Sequence, residues 1–302
     1  MDDIILRGTL GEADARFFLA STGRMVEEAR RTHDLSPTAA AALGRLLTGA
    51  VVMGLMLGDE KQTVTVSVKG GGPVGTLVAV ADGRGSVKGY AGHPREDLPP
   101  RPDGKLDVGG LVGRDGMLTV VRETGTGEPY IGQCALRSGE IAEDLAWYFA
   151  SSEQQPSLVS MGVLAGPGPI VLAAGGLFIQ PLPGCSDALL DTLESRASEM
   201  SDISRLLAEC EDGERLTGGL FRDIPWQVHE RIKPEFRCDC SPERAERALV
   251  ALGQQALSEM RSRGEPARVN CHFCGAQYTI EPDRLARLVS LSGTEDDKEG
   301  GQ

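Results

Sequence analysis

The chain has 302 residues, 40% of them apolar, and a formal net charge of −13. That length is enough for a substantial core and a second, smaller unit. The negative balance argues against general nucleic-acid binding, which runs on attraction to phosphate, and aromatics at 4% leave little to stack against single strands.

From the start to about Gly184 the pattern mixes helix and strand. β-rich runs fall at Ile4–Leu10, Arg16–Ser21, Thr63–Lys69, Val74–Ala81, Ser86–Tyr90 and Met117–Arg122. Turn signals such as Gly70-Gly71-Gly72-Pro73, Asp82-Gly83 and Asp115-Gly116 separate them. Between the early and later strands, Ser36 stands as an N-cap and Pro37 as a first helical residue. The helix they start is apolar almost all round over Ala39–Leu57, so it is expected to be buried on every side, under the sheet. Its uncharged stretch from Leu46 to Gly58 is too short to span a bilayer, and no membrane partner is expected. A second helix is predicted around Glu140–Ser151.

The region from about Cys185 to Arg237 changes character. Ser186 can cap a helix with apolar positions Leu189, Leu190, Leu193, Ala197, Met200, Ile203, Leu206 and Leu207, spaced by threes and fours. The result is one apolar stripe on a charge-rich rod, and the stripe needs a surface to cover it. Permanent docking on the N-terminal domain satisfies that need. So does a marginally stable docking that can let go.

Four cysteines follow, as Cys238-Asp239-Cys240 and Cys271-His272-Phe273-Cys274. Two close thiol pairs separated by a short helical insert are a strong tetrahedral metal signature. Zinc takes four Cys ligands at about 2.3 Å. In an extended segment Cys-x-Cys puts both side chains on one face, and Gly275 turns the second pair toward one centre. Ser241-Pro242 starts a helix, Gly253 and Gly264 read as helix stops, Arg268–Asn270 and Gln277–Ile280 read as a short hairpin, and Pro282 starts a final helix. So few apolar residues leave metal to supply folding energy. The acidic tail from Thr294 to Gln302 reads as disordered. The expected fold class is therefore α+β. A mixed α/β domain with a buried central helix (1–184) precedes a helical linker (185–237), a small zinc-binding domain (238–291) and an acidic tail (292–302).

Cys134, Cys185 and Cys210 are scattered and read as small buried or half-buried hydrophobes. Seven cysteines, an odd number, do not suggest a secreted disulfide framework. The chain opens Met1-Asp2-Asp3 without a signal-peptide pattern, so a reducing cytoplasm is expected. Gly70-Gly71-Gly72 has no Gly-Lys-Ser/Thr behind it and reads as a turn, as does Gly125-Thr126-Gly127. His272 stands between two thiols, but four thiolates leave it no ligand role. His33, His93 and His229 form no acid–base pattern, and no enzyme activity is expected.

The motifs Phe236-Arg237-Cys238-Asp239-Cys240-Ser241 and Cys271-His272-Phe273-Cys274-Gly275 with Tyr278 resemble heat-shock protein 33, a family of redox-regulated bacterial holdase chaperones. Leu35-Ser36-Pro37 with Leu43-Gly44-Arg45, Tyr148-Phe149 with Ser152-Glu153-Gln154, and Gly175-Gly176-Leu177 with Ile179-Gln180 resemble it as well, in the same order. The resemblance covers nearly the whole chain. It implies one Zn2+ on Cys238, Cys240, Cys271 and Cys274 in the reduced, inactive state. It also implies Cys238–Cys240 and Cys271–Cys274 disulfides, zinc release and linker unfolding under oxidants. The active state would bind unfolding client proteins without ATP and form a homodimer. Cys185 and Cys210 are extra thiols whose role the resemblance does not settle.

Three other classes fit parts of the pattern. A purely structural zinc module would not switch on with peroxide. A thiol–disulfide oxidoreductase would carry its Cys-x-x-Cys at a helix start after a strand, not in a hairpin knuckle. A zinc-ribbon nucleic-acid binder is opposed by the acidic balance.

Overall fold

Residues 1–292, apart from 126, 167 and 169, are described by the computed structural model. The chain opens with strands β1 (Ile4–Leu10) and β2 (Ala15–Ser21), then helices α1 (Gly23–His33) and α2 (Pro37–Met56). Strands β3 (Thr63–Lys69), β4 (Thr76–Asp82) and β5 (Ser86–Ala91) follow, then short helix α3 (Val108–Val112), β6 (Met117–Glu123) and β7 (Tyr130–Ala135). Helix α4 (Ala142–Ser151) leads into β8 (Leu158–Ala165) and β9 (Val171–Pro181). Three helices come next, α5 (Asp187–Arg196), α6 (Ile203–Glu209) and α7 (Gly213–Leu220), then β10 (Trp226–Ile232) and the two-residue β11 (Glu235–Phe236). The remainder holds α8 (Pro242–Val250), α9 (Gln254–Ser262), β12 (Ala267–Asn270), β13 (Gln277–Ile280) and α10 (Pro282–Ser292). Two compact units divide between Arg237 and Cys238.

The first unit is built on two sheets, ordered β10-β1-β2-β9-β8 and β11-β5-β4-β3-β6-β7. Neighbours pair antiparallel, except that β11 lies parallel to β5. Helix α2 begins as its sequence dictates, with the Ser36 hydroxyl accepting the Ala39 N–H at 3.1 Å and Pro37 at N1. It shares one buried cluster with both sheets, through Phe18 and Phe178 of one and Val64, Val66 and Leu77 of the other. It is the one described helix long and apolar enough to cross a membrane, but 89% of that stretch is buried in the protein, which makes it the core helix.

Strand β2 reports how the first sheet is covered. Phe17 and Phe18 are both fully buried, and adjacent strand residues point to opposite faces. A strand buried on both sides lies in a sheet packed on both faces. One face meets α2. On the other, Leu6, Leu10, Phe17, Leu19, Leu177 and Ile179 meet α5, α6 and α7 through Leu193, Ile203, Leu207 and Phe221. In the second sheet, β3, β4 and β5 alternate buried with half-buried or exposed positions, so its outer face is uncovered by the first unit.

Residues 185–237 therefore lie against the first unit, and they are not helical throughout. They end in β10, which pairs with β1, and β11, which pairs with β5. The expected single rod after Ser186 is two helices. Ser198 and Ser201 intervene, the Ser201 hydroxyl donating to the Ser198 carbonyl at 2.7 Å. Such local side-chain bonds offer the backbone an alternative to the helical ladder. The bend carries Leu189, Leu193, Met200, Ile203 and Leu207 into one cluster but leaves Ala197, part of the expected stripe, exposed. The acidic tail beyond 292 and Thr126 of Gly125-Thr126-Gly127 lie outside the described residues.

Gly54 of α2 gives a test of this packing. Alanine in a helix normally gains about 1 kcal/mol over glycine. A Cβ at Gly54, however, would stand 2.5 Å from the Asp82 carbonyl oxygen, a backbone atom that cannot rotate away. Gly54→Ala is expected to destabilise the protein, by about 1–3 kcal/mol. Chemical denaturation of the two forms measures it, and a more stable variant would contradict the packing.

Candidate metal centre

The second unit has a small core, with Leu249, Leu257, Ile280, Leu285, Leu288 and Val289 buried among the described residues. Helix α8 is punctuated by Ser241, whose hydroxyl accepts the Arg244 N–H at 3.3 Å, and by Pro242 at N1. That start fixes the chain just after Cys240. Arg284 clamps α10 to α8 with two donors at 2.7 and 2.6 Å from the Glu246 carboxylate. Asp239 pairs with Arg244 across the first turn. Gly253, expected as a helix stop, is the N-cap position of α9, while Gly264 follows the end of α9 with φ +67°.

The second pair of thiols sits on a knuckle between β12 and β13. The Gly275 N–H bonds the Cys271 carbonyl, and the Cys271 N–H bonds the Ala276 carbonyl, each at 2.8 Å. Gly275 has φ +72°, a left-handed conformation that glycine adopts without strain. The first pair, Cys238 and Cys240, lies just past β11 in irregular backbone instead of in a strand.

The four thiols converge. All four sulfurs of Cys238, Cys240, Cys271 and Cys274 lie within 4.8 Å of one another. Two separations across the pairs are short, Cys238–Cys271 at 3.6 Å and Cys240–Cys274 at 3.3 Å. A tetrahedron of four metal–sulfur bonds near 2.3 Å has edges of about 3.8 Å. The donor set and spacing thus fit one ion, and these four residues could hold it. His272 is exposed and is not among the grouped donors.

Local electrostatics treat the thiols unequally. The Tyr278 hydroxyl donates to the Cys240 sulfur at 3.0 Å and, as the main cause, brings that thiol down to about 7. The same contact pushes the Tyr278 phenol up to about 12. Burial pushes Cys238 and Cys274 up, against lowering by the backbone N–H groups of Cys240 and Ala276. Tyr278 is the residue to which sequence reasoning gives no role beyond the resemblance. Its signal was a tyrosine four positions past the last cysteine, on the strand that returns from the knuckle.

The remaining cysteines are elsewhere. Cys134 is buried in the main core, where burial pushes its thiol up to about 11. Cys185 and Cys210 are half-buried against the cluster under α5–α7.

Four convergent thiols, carried by a small unit after a two-sheet body, form a cluster that could hold one metal ion. A family model described as "Hsp33 protein" matches residues 3–281. A "33 kDa chaperonin" of Clostridium botulinum is 40% identical over 96% of this chain and 98% of its own length. One from Alkaliphilus oremlandii is 41% identical over 96% and 97%. The crystal structure of the 33 kDa chaperonin, a heat shock protein 33 homologue, from Thermotoga maritima superposes with a TM-score of 0.87. It shares 34% identity over 97% of this chain and all of that one. The chain belongs to the heat-shock protein 33 family, and that membership supports a chaperone role.

If all four thiols act together, titration of the reduced protein with zinc saturates at one ion per chain. Cys271→Ser is expected to lose most of its zinc to a competing chelator, while Cys134→Ser keeps it. Full retention by Cys271→Ser would break the assignment.

Proposed function

We propose that this protein is a redox-controlled, ATP-independent holdase of the cytoplasm that keeps unfolding proteins from aggregating under oxidative and heat stress. The observation that carries the reading is the four-thiol cluster, placed two residues after β11, the last strand of the first unit. In the reduced state Cys238, Cys240, Cys271 and Cys274 hold one Zn2+. Bound there, zinc supplies four ligand bonds and keeps the sulfurs as thiolates at neutral pH. The reading makes the protein a binder and not an enzyme, with no nucleic-acid or membrane partner.

Energetics favour a switch over a staple. A single core in so small a unit rarely supplies more than about 3–5 kcal/mol. Metal binding by such sites is worth on the order of 10 kcal/mol. The second unit therefore folds only while its thiolates are intact. The switch pairs are Cys238–Cys240 and Cys271–Cys274, as the resemblance implies. Each pair of thiolates gives two electrons to peroxide, one sulfur–sulfur bond forms, the peroxide bond breaks, two protons from solvent complete two waters, and the ion leaves as Zn2+ once both pairs are joined. Hypochlorous acid does the same, taking one proton from solvent and leaving chloride and one water. Sulfurs so joined offer no thiolate to a metal, and the unit loses its fold.

The consequence reaches residues 185–237. Helices α5–α7 cover the apolar face of β1, β2 and β9 but are themselves charge-rich, and moving elements come from the weak end of a structure's stability range. With the metal unit unfolded, the linker lets go. The apolar surface so freed receives client proteins and supports a homodimer.

Two measurements test this. After peroxide, peptide mapping is expected to find Cys238 joined to Cys240 and Cys271 to Cys274. Recovery of Cys238–Cys271 and Cys240–Cys274 instead, whose sulfurs stand 3.6 and 3.3 Å apart, would replace the proposed pairing. Leu193, 5% exposed under α5, is the second probe. Leu193→Glu buries a charge and is expected to give partial suppression of client aggregation without oxidant, with zinc still bound. An inactive reduced variant that melts like the parent would count against linker release.

A further inference from the structure

We propose that the client is held by strand addition: an extended segment of the unfolding protein takes the place of β10 on the edge of β1. The inference rests on the holdase reading and names the surface and binding mode that reading leaves open. The position of β10 motivates it. Both sheets of the first unit have one edge closed by the same short stretch, β10 on β1 and β11 on β5. That stretch ends at Phe236, two residues before the first thiol of the cluster. The edges formed by β7 and β8 carry no linker strand, in whichever state the thiols stand. The edge of β1 is the long edge that the linker controls.

The way β10 is attached matters more than its position. Its pairing with β1 runs from Leu10↔Trp226 to Ile5↔Ile232, with one irregularity at Arg7/Gly8. Yet Gln227, His229, Glu230 and Arg231 are exposed, and Trp226, Val228 and Ile232 are only half-buried. The polar side-chain anchors of β10 lie at the surface, among them Arg231 with Glu214 of α7 at 2.8 Å. The Thr9 hydroxyl meets His229 Nε2 at 3.0 Å, and Arg7 meets Glu230 at 3.3 Å. At Gly8 a Cβ would stand 2.1 Å from the Gln227 carbonyl oxygen, so the two backbones approach without side chains between them. β10 is thus held by its main-chain ladder together with three half-buried side chains, Trp226, Val228 and Ile232, that rest on the cores.

A site that grips main chain is indifferent to sequence. Strand addition takes its affinity from backbone hydrogen bonds, which every extended segment can supply except at proline. An unpaired strand edge is a template for such pairing, which native proteins ordinarily cover. Here the cover is β10, and its removal opens the template. Beside it lies the face bearing Leu6, Leu10, Phe17 and Leu19, which can take apolar side chains from the arriving segment. An unfolding protein offers both features, an extended backbone and exposed apolar residues.

Hydrogen exchange on the unaltered full-length protein decides it. The probe is reduced and carboxymethylated lactalbumin, a permanently unfolded chain. Alternate amides of β1 face β10, the others β2. Peroxide treatment is expected to raise exchange in both Ile4–Leu10 and Trp226–Ile232. Adding the probe should restore protection to Ile4–Leu10 alone, with Trp226–Ile232 and Tyr130–Ala135 unchanged by it. If the probe co-elutes with the oxidised protein but β1 stays exchanged, strand addition is wrong and the holdase reading stands. If β10 regains protection together with β1, the native strand has returned, and the proposal falls. Protection of β1 that grows with protein concentration and needs no probe assigns the edge to a second copy, which also overturns it. No binding of the probe at all removes the holdase reading and this inference together.

A covalent lock gives an independent measurement. Thr9 and Gln227 are directly opposed, at a spacing that a disulfide can bridge. Thr9→Cys with Gln227→Cys, joined before peroxide treatment, tethers β10 while α5–α7 remain free to leave the sheet. The locked protein, assayed once its zinc has been released, is expected to lose its hold on the probe. Native-level binding by locked, zinc-free protein would place the client elsewhere.

Discussion

A sheet with two apolar faces needs two covers, and the first sheet of this protein has one permanent cover and one that belongs to the linker. Phe17 and Phe18 state the constraint in adjacent residues. Phe18 packs with α2, whose burial is built into the same fold. Phe17 packs against Phe221, ring centroids 5.1 Å apart, just beyond the end of α7. Everything proposed for activation follows from that second cover being detachable, because exposing one face of a sheet need not disturb the other.

In the proposed switch the detachable cover is joined to a unit whose stability is chemical. A cluster of six buried apolar side chains among the described residues of the second unit does not make a robust core. The four sulfurs convert that weakness into sensitivity, since the ligands of such a site are also the groups that oxidants attack. Tyr278 adds to it by donating a hydrogen bond to Cys240, which favours the thiolate. Chain connectivity alone then couples the two units. Loss of structure that begins at Cys238 next meets β11, a two-residue strand, and then β10.

Much of this was legible in the residues, for physical reasons that can be named. Ser36-Pro37 before an unbroken apolar run announces α2, because cap and propensity signals are local. Strict alternation announces β3 to β5, because one of their faces is uncovered. The paired thiols announce the four-thiol cluster, because the members of each pair are neighbours in sequence. Strands β7 to β11 were not named, nor were α1, α3 and α7. β9 is buried on both faces and contains Gly175 and Gly176, so it lacks alternation. β10 is mostly exposed and is defined by a partner far away in the chain, as the 223-residue separation of Arg7 and Glu230 illustrates. The bend between α5 and α6 was missed as well, because the apolar spacing continues in register through it. The Tyr278–Cys240 contact joins residues 38 positions apart and has no periodic signature.

Helix α2 carries a consequence for the protein's own survival. A segment apolar enough to pass for a membrane span would, if released, be as prone to aggregate as any client. If, as proposed, the protein meets heat and oxidant by letting part of itself unfold, it must divide its cooperativity sharply. The boundary has to fall between α2 and the face of β2 that bears Phe17, a distance of one sheet's thickness. On one side, structure is expendable. On the other, its loss would turn the rescuer into one more chain in need of rescue.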